Sequence, residues 1–232
     1  MNSYLKVAAS KLRKAKNGAY LRRAMWLSFE ERLRSVFTEI DSRGFDADEL
    51  GTLYLSSNHS TNPAYNKPWV YRHNSLNQAQ ISVGWRRLGV WHTIASDNLT
   101  NPKEAMEAGA SICFSQDITG KVMVLLSPYK SDLAKVNEEN FILVFGAEPN
   151  DLTENAIRGL MKTFFRYCVA TSMISGGNYR DYLFRLWLGL RDIRNRKIQK
   201  IAVFRFFERV LLVALAAAGV WATLFTGNKW PF

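Results

Sequence analysis

Cysteine is almost absent from this chain, and the two that occur, Cys113 and Cys168, stand far apart in no C-x-x-C or C-x-x-H spacing. Neither a disulfide framework nor a zinc site is indicated, and a reducing compartment is compatible. Histidine is equally scarce: His59, His73 and His92 form no i, i+4 pair and lack the Cys or acidic company of a metal site. The glycine signatures that cradle nucleotides are missing, since neither G-x-G-x-x-G nor G-x-x-x-x-G-K-[ST] occurs. No G-x-S-x-G elbow is present. Paired acids occur, as in Glu30-Glu31, Asp46/Asp48/Glu49 and Glu138-Glu139, in a helix start and in loops, where solvated charge is the ordinary reading. No cofactor and no metal is expected, and an enzyme would have to use residues outside the known motifs. A secretory leader is not expected either, because the longest apolar run of the basic N-terminus is Val7-Ala8-Ala9.

What is plentiful is positive charge, +11 over 232 residues, and its distribution decides its meaning. Residues 1–23 contribute +7 with no acid, residues 180–209 contribute +6, and Lys229 adds one, which leaves 24–179 at −3. A mildly acidic centre disfavours nucleic acid, whose binders carry a basic face on the folded core. Anionic lipid headgroups account better for basic segments at these places, attracting each cation near the surface by roughly 1 kcal/mol.

The one long apolar run, Val210 to Thr226, reads VLLVALAAAGVWATLFT without a charge. Seventeen residues cover about 25 Å against a hydrocarbon thickness of roughly 30 Å. The neighbouring Phe204, Phe206, Phe207, Arg205, Arg209 and Trp230 suit the two interfaces and extend the reach. The expectation is a single transmembrane helix, with the N-terminal body placed in the cytoplasm by the Lys and Arg that precede it, most simply at a bacterial inner membrane. Ala214, Ala218 and Ala222 fall at i, i+4 and i+8 with Gly219 beside them, a small-residue ridge that predicts helix association and a homo-oligomer.

Before the anchor the sequence reads as an α+β domain with a mostly antiparallel sheet of about five strands. The divisions are a basic amphipathic arm over 1–23, the domain over 24–179, a basic amphipathic connecting helix over 180–209, the span over 210–226 and a short non-cytoplasmic tail over 227–232. Leu5, Ala8, Leu12 and Ala15 give the arm a helical stripe that ends at the Asn17-Gly18 punctuation. Ser28 and Glu31 form a capping-box pattern ahead of Phe29, Leu33, Val36, Phe37 and Ile40, with Gly44 as the stop. Strands are expected at 51–56, 79–85 and 88–94. The clearest hairpin joins Ala110–Ser115 to Lys121–Leu126 through Gly120, and Phe141–Phe145 reads as a buried central strand. A helix opens at Asp151-Leu-Thr-Glu and breaks at Gly176-Gly177, and from Tyr179 one long helix, kinked or continuous, is predicted to run into the membrane.

One constellation combines charge with aromatics: Trp85-Arg86-Arg87-Leu88-Gly89-Val90-Trp91. On a strand, Trp85, Arg87 and Trp91 share a face and Arg86 takes the other, so Arg87 between two indoles is the candidate anion-binding residue. The alternative is a strand of ordinary core and surface residues. No motif carries a family resemblance specific enough to name. The sequence thus predicts a membrane-tethered, non-enzymatic sensor or effector that binds a small anionic ligand or a partner protein, a role that fits a bacterial stress or defence setting. A membrane scaffold recruiting a cytoplasmic partner is the alternative, and a membrane-bound enzyme the third.

Overall fold

The computed structural model describes residues 2–42, 47–57, 77–92, 102–131, 133, 140–175 and 177–195, together with positions 208, 209, 211, 212, 217, 218 and 221. Two compact units divide the chain, Met1–Gly189 and Leu190–Phe232.

The first unit opens with one helix of 41 residues, α1 (Asn2–Ser42). Asn17-Gly18 does not break it. Leu5, Ala8, Leu12, Ala15, Ala19, Trp26, Phe29, Leu33, Val36 and Ile40 belong to a single 3-4 seam along the whole helix. Gly18 in its middle costs only about 1 kcal/mol relative to Ala, too little to outweigh that continuity. Ser28 is therefore an interior residue, its hydroxyl accepting from Arg32 (3.1 Å) rather than capping an end. The C-terminal half of the seam is buried, with Trp26, Phe29, Leu33 and Val36 sealed from solvent. Positions 4–17 are all exposed. A short turn of helix, α2 (Ala47–Leu50), follows.

Five antiparallel strands form the main sheet, β1 (Leu53–Ser57), β2 (Gln78–Val83), β5 (Ser111–Gln116), β6 (Val122–Ser127) and β8 (Phe141–Ala147), in the order β1-β2-β5-β6-β8. The antiparallel α+β architecture predicted from sequence is what the chain adopts. A second sheet, β3 (Arg86–His92), β4 (Lys103–Ala108) and β7 (Lys130–Ser131), was not foreseen. It arises because β2 runs into β3 and β4 into β5, so one long ribbon turns away from the main sheet at Gly84 and Gly109. Val83 and Gly109 still bond across the bend, and Gly109 takes φ +83°, a region open to glycine without strain.

The predicted hairpin is β5–β6, paired Ile112↔Leu126 and Phe114↔Val124. Asp117 Oδ1 organises its turn, accepting from the backbone N–H groups of Thr119 (2.8 Å) and Lys121 (2.9 Å), while Gly120 sits at φ +80°. Phe141–Phe145 falls in β8 at the edge of the sheet, not its centre, and this strand is mostly half-buried.

Helix α3 (Glu154–Thr171) starts where Thr153 accepts from Ala156 N–H, and it ends at Thr171, before the predicted Gly176-Gly177 break. With α1 it covers one face of the sheet. Ile157, Met161, Phe164 and Cys168 meet Ile81, Ile112, Phe114, Val124 and Leu126 in a single core, where the Phe29 and Phe114 rings lie 5.3 Å apart. Arg158 of α3 binds Glu39 of α1 at 2.9 Å.

The last helix of this region, α4 (Tyr179–Arg191), buries Phe184 and Leu188. It does not run on to 226: after Arg191 comes Asp192 and a 3-10 turn, Ile193–Asn195, in which Asp192 accepts from Arg194 at its backbone (2.9 Å) and its guanidinium (2.8 Å). A carboxylate that turns back onto the next two residues ends a helix rather than extending it. Of the predicted span, Leu211, Leu212, Ala217, Ala218 and Trp221 are helical and exposed, and the remainder lies outside the described residues. Among the described residues no helix is long and apolar enough to cross a membrane.

Candidate functional site

The sequence constellation resolves into two separate environments. Arg87 points outward, 78% exposed, and pairs with Glu104 at 3.5 Å. Trp85 and Trp91 are likewise open, 70% and 64% exposed. Alternation does not hold along the whole stretch, because Trp85 precedes the strand and the register shifts between Arg87 and Trp91, where Gly89 takes φ +69°. Arg86 turns inward. Its guanidinium reaches Ser172 Oγ (3.1 Å), Glu107 (3.8 Å) and Glu49 (3.6 Å).

Around Arg86 lies a buried polar knot that sequence reasoning missed. Glu107 is fully buried and accepts from the Ser172 hydroxyl (3.0 Å) and from Met173 N–H. Tyr129 donates to Leu50 O (2.8 Å) beside it. Burial, and secondarily Cys168, pushes the Tyr129 phenol upward, and burial pushes the Cys168 thiol up to about 12. Both stay protonated at neutral pH. The Ser172 hydroxyl donates to Glu107 while accepting from Arg86 and from Ile174 N–H (3.3 Å), so no free nucleophile remains. The knot fastens the second sheet to the C-terminal end of α3.

A more open arrangement lies between α3 and α4. A cleft of about 510 Å³ is lined by Lys162, Thr163 and Arg166 of α3 and by Arg180, Leu183, Phe184 and Trp187 of α4. Lys162 and Arg166 share a helix face at i, i+4, and Arg180 faces them from the start of α4. No acid is among these lining residues. Arg166 lies 4.2 Å from the centre of the Phe184 ring, and Phe184 in turn stacks on Trp187 with centroids 5.9 Å apart and planes 20° from parallel. The stack fixes the direction of one guanidinium at little entropic loss. Three cations above an aromatic floor suit a phosphate or carboxylate carrying a flat or apolar group.

Two features of the sequence hinted at this cleft. Lys162 and Arg166 stand on the polar side of a strongly amphipathic helix, and Trp187 with Arg180 belongs to the basic segment, but only the fold brings α3 and α4 together. His59 and His73 lie outside the described residues, as do Ala214, Gly219 and Ala222 of the small-residue ridge; Ala218 is helical and exposed. Among the described residues no three His, Cys, Asp or Glu side chains converge on a metal-sized site. Comparison with protein-family models, with curated proteins and with solved structures gives no match, so the site is read from its own geometry.

Proposed function

We propose that the chain is a membrane-tethered, non-enzymatic sensor or effector whose α+β body, on the cytoplasmic side, binds a small anionic ligand in the cleft between α3 and α4. The observation that carries this reading is the cleft's charge: Lys162, Arg166 and Arg180 converge on about 510 Å³ with no lining acid to neutralise them. The apolar run Val210–Thr226 supports the tether. The test is the thermal stability of the full chain in nanodiscs with inorganic phosphate, nucleotides and dicarboxylates. A ligand at 100 times its Kd stabilises by about 2.7 kcal/mol. Lys162→Ala and Arg180→Ala, both at exposed positions, should remove the shift without lowering the ligand-free Tm. Absence of any shift with all three classes of anion rejects the site.

The scaffold reading has its own support in Trp85 and Trp91, two largely exposed indoles bordering Arg87 on the second sheet. Tryptophan and arginine are the residues that most often anchor protein interfaces. A protein that co-purifies stoichiometrically and is lost on Trp91→Ala would favour this role.

A further inference from the structure

The first turns of α1 stand clear of the body: positions 4–17 are all exposed, and burial begins at Ala19. Within them Leu5, Ala8, Leu12 and Ala15 keep the 3-4 spacing of the seam that Trp26, Phe29, Leu33 and Val36 bury further along. Leu5 and Leu12 are 64% and 72% exposed. Written as heptads, Leu5, Leu12 and Ala19 take the a positions and Ala8 and Ala15 the d positions, so Lys11 falls at g and Lys16 at e, one on each border of the seam. Lys6, Arg13 and Lys14 take outer positions, and the chain holds no acid before Glu30.

We propose that this projecting seam docks an amphipathic helix of a partner protein, one whose own apolar seam is bordered by glutamate or aspartate. The inference uses neither the cleft nor the tether. A strict a/d stripe has the width of a helix–helix contact and is narrower than the apolar face of a helix lying in lipid. The alanines at d let a second backbone come close, while Leu5 and Leu12 supply the knobs. Lys11 and Lys16 attract acids on the incoming helix. They repel the same lysines of a second copy, whose pairing through this seam would gather five arm cations from each chain without an acid. Direction separates a partner helix from a bilayer. The seam looks to the side on which the sheet lies, since Ala19 sits against Gly120, and Arg22 and Arg23 donate to the carbonyls of Thr119 and Ile118 just beyond it. A flat surface laid along residues 4–17 on that side meets the β5–β6 turn, whereas a helix about 10 Å across fits the corner. Two heptads are short, but the arm is already held as the extension of a seated helix, so docking does not have to nucleate it.

The experiment titrates the purified full chain with two fluorescent heptad peptides, both with Leu at a and d, one with Glu and the other with Lys at e and g. The Glu peptide should bind, more weakly as salt rises, and the Lys peptide should not. Leu12→Gln should weaken binding by about tenfold or more while leaving the Tm unchanged, because the side chain is largely exposed. Lys14→Gln, on the outer side, should change binding by less than about twofold. Lys11→Glu combined with Lys16→Glu should reverse the choice, admitting the Lys peptide and refusing the Glu peptide. Failure of the Glu peptide to bind the unaltered chain at millimolar concentration overturns the inference. Binding that survives Leu12→Gln also overturns it, marking charge attraction without a seam. Refusal of the Glu peptide together with loss of self-association in Leu12→Gln assigns the seam to a second copy. Refusal together with weaker attachment of Leu12→Gln to phosphatidylglycerol vesicles assigns it to a bilayer.

Discussion

Adjacent arginines with opposite roles show how a single residue step sorts side chains. Period-two geometry does separate Arg86 from Arg87, as the sequence implied. Which of the two faces inward was not legible, because the groups receiving Arg86 come from elsewhere in the chain, Ser172 lying 86 residues away. Glu107→Ala should destabilise the protein by about 3–5 kcal/mol, since it removes the buried carboxylate facing Arg86 and leaves the Ser172 hydroxyl and Met173 N–H without their acceptor. Arg87→Ala should change stability by less than about 1 kcal/mol, its pair being exposed. Chemical denaturation of the two variants checks the difference, and equal losses would show that the knot is not a structural strut. Cys168 yields a pH prediction. Its thiol is pushed up to about 12 from the ordinary 9.0 by burial. Folding therefore gains from it fully below pH 9, and that gain is lost as pH rises toward 12. Tyr129 and Tyr167, also raised by burial from 10.0, add a loss that begins about one pH step later. Burial also raises the Cys113 thiol from 9.0, so the alkaline decline of Tm should be shallower in Cys168→Ala and should start nearer pH 10 than pH 9 only when both thiols are replaced.

Among the elements, the β5–β6 hairpin and α3 were legible because each carries its own boundary chemistry, Gly120 in one and Thr153 in the other. The edge position of β8 was not, because an apolar run reads alike whether strands or helices cover it; here Phe141 packs edge-on against Tyr167 of α3, their centroids 5.7 Å apart. The continuity of α1 was misread for a related reason. Local turn residues suggested an end, while the seam that overrides them becomes visible only over six turns or more. The junction between α1 and the hairpin is close: a Cβ built on Gly120 would stand 2.6 Å from Arg22 Cβ and 2.7 Å from Ala19 O. Arg22 and Arg23 donate to the carbonyls of Thr119 and Ile118 at the same place. Gly120→Ala combines a left-handed backbone with this clash and should destabilise by about 2–4 kcal/mol. A thermal melt followed by circular dichroism measures it, and a wild-type Tm would mean that α1 is not seated on the turn.

For the molecule as a whole, the sequence located charge better than it located sites. The basic ends and mildly acidic centre are compositional and needed no fold, whereas the cleft depends on the angle at which the consecutive helices α3 and α4 pack, which the short connection between them does not reveal in the sequence. Truncation before Val210 should release the protein from the membrane fraction, and carbonate washing of the full chain should not. Loss of the intact chain to the carbonate wash would leave only surface attachment. The strut between Glu107 and Ser172 spans 65 residues, which gives it a consequence in time. At about 5–20 residues per second of synthesis, Glu107 leaves the ribosome on the order of 3–13 s before the serine that will hold it. Through that interval the nascent β3–β4 ribbon has its carboxylate in water and no helix to close against, so the second sheet is a late-maturing part of the chain, open to chaperones until α3 arrives.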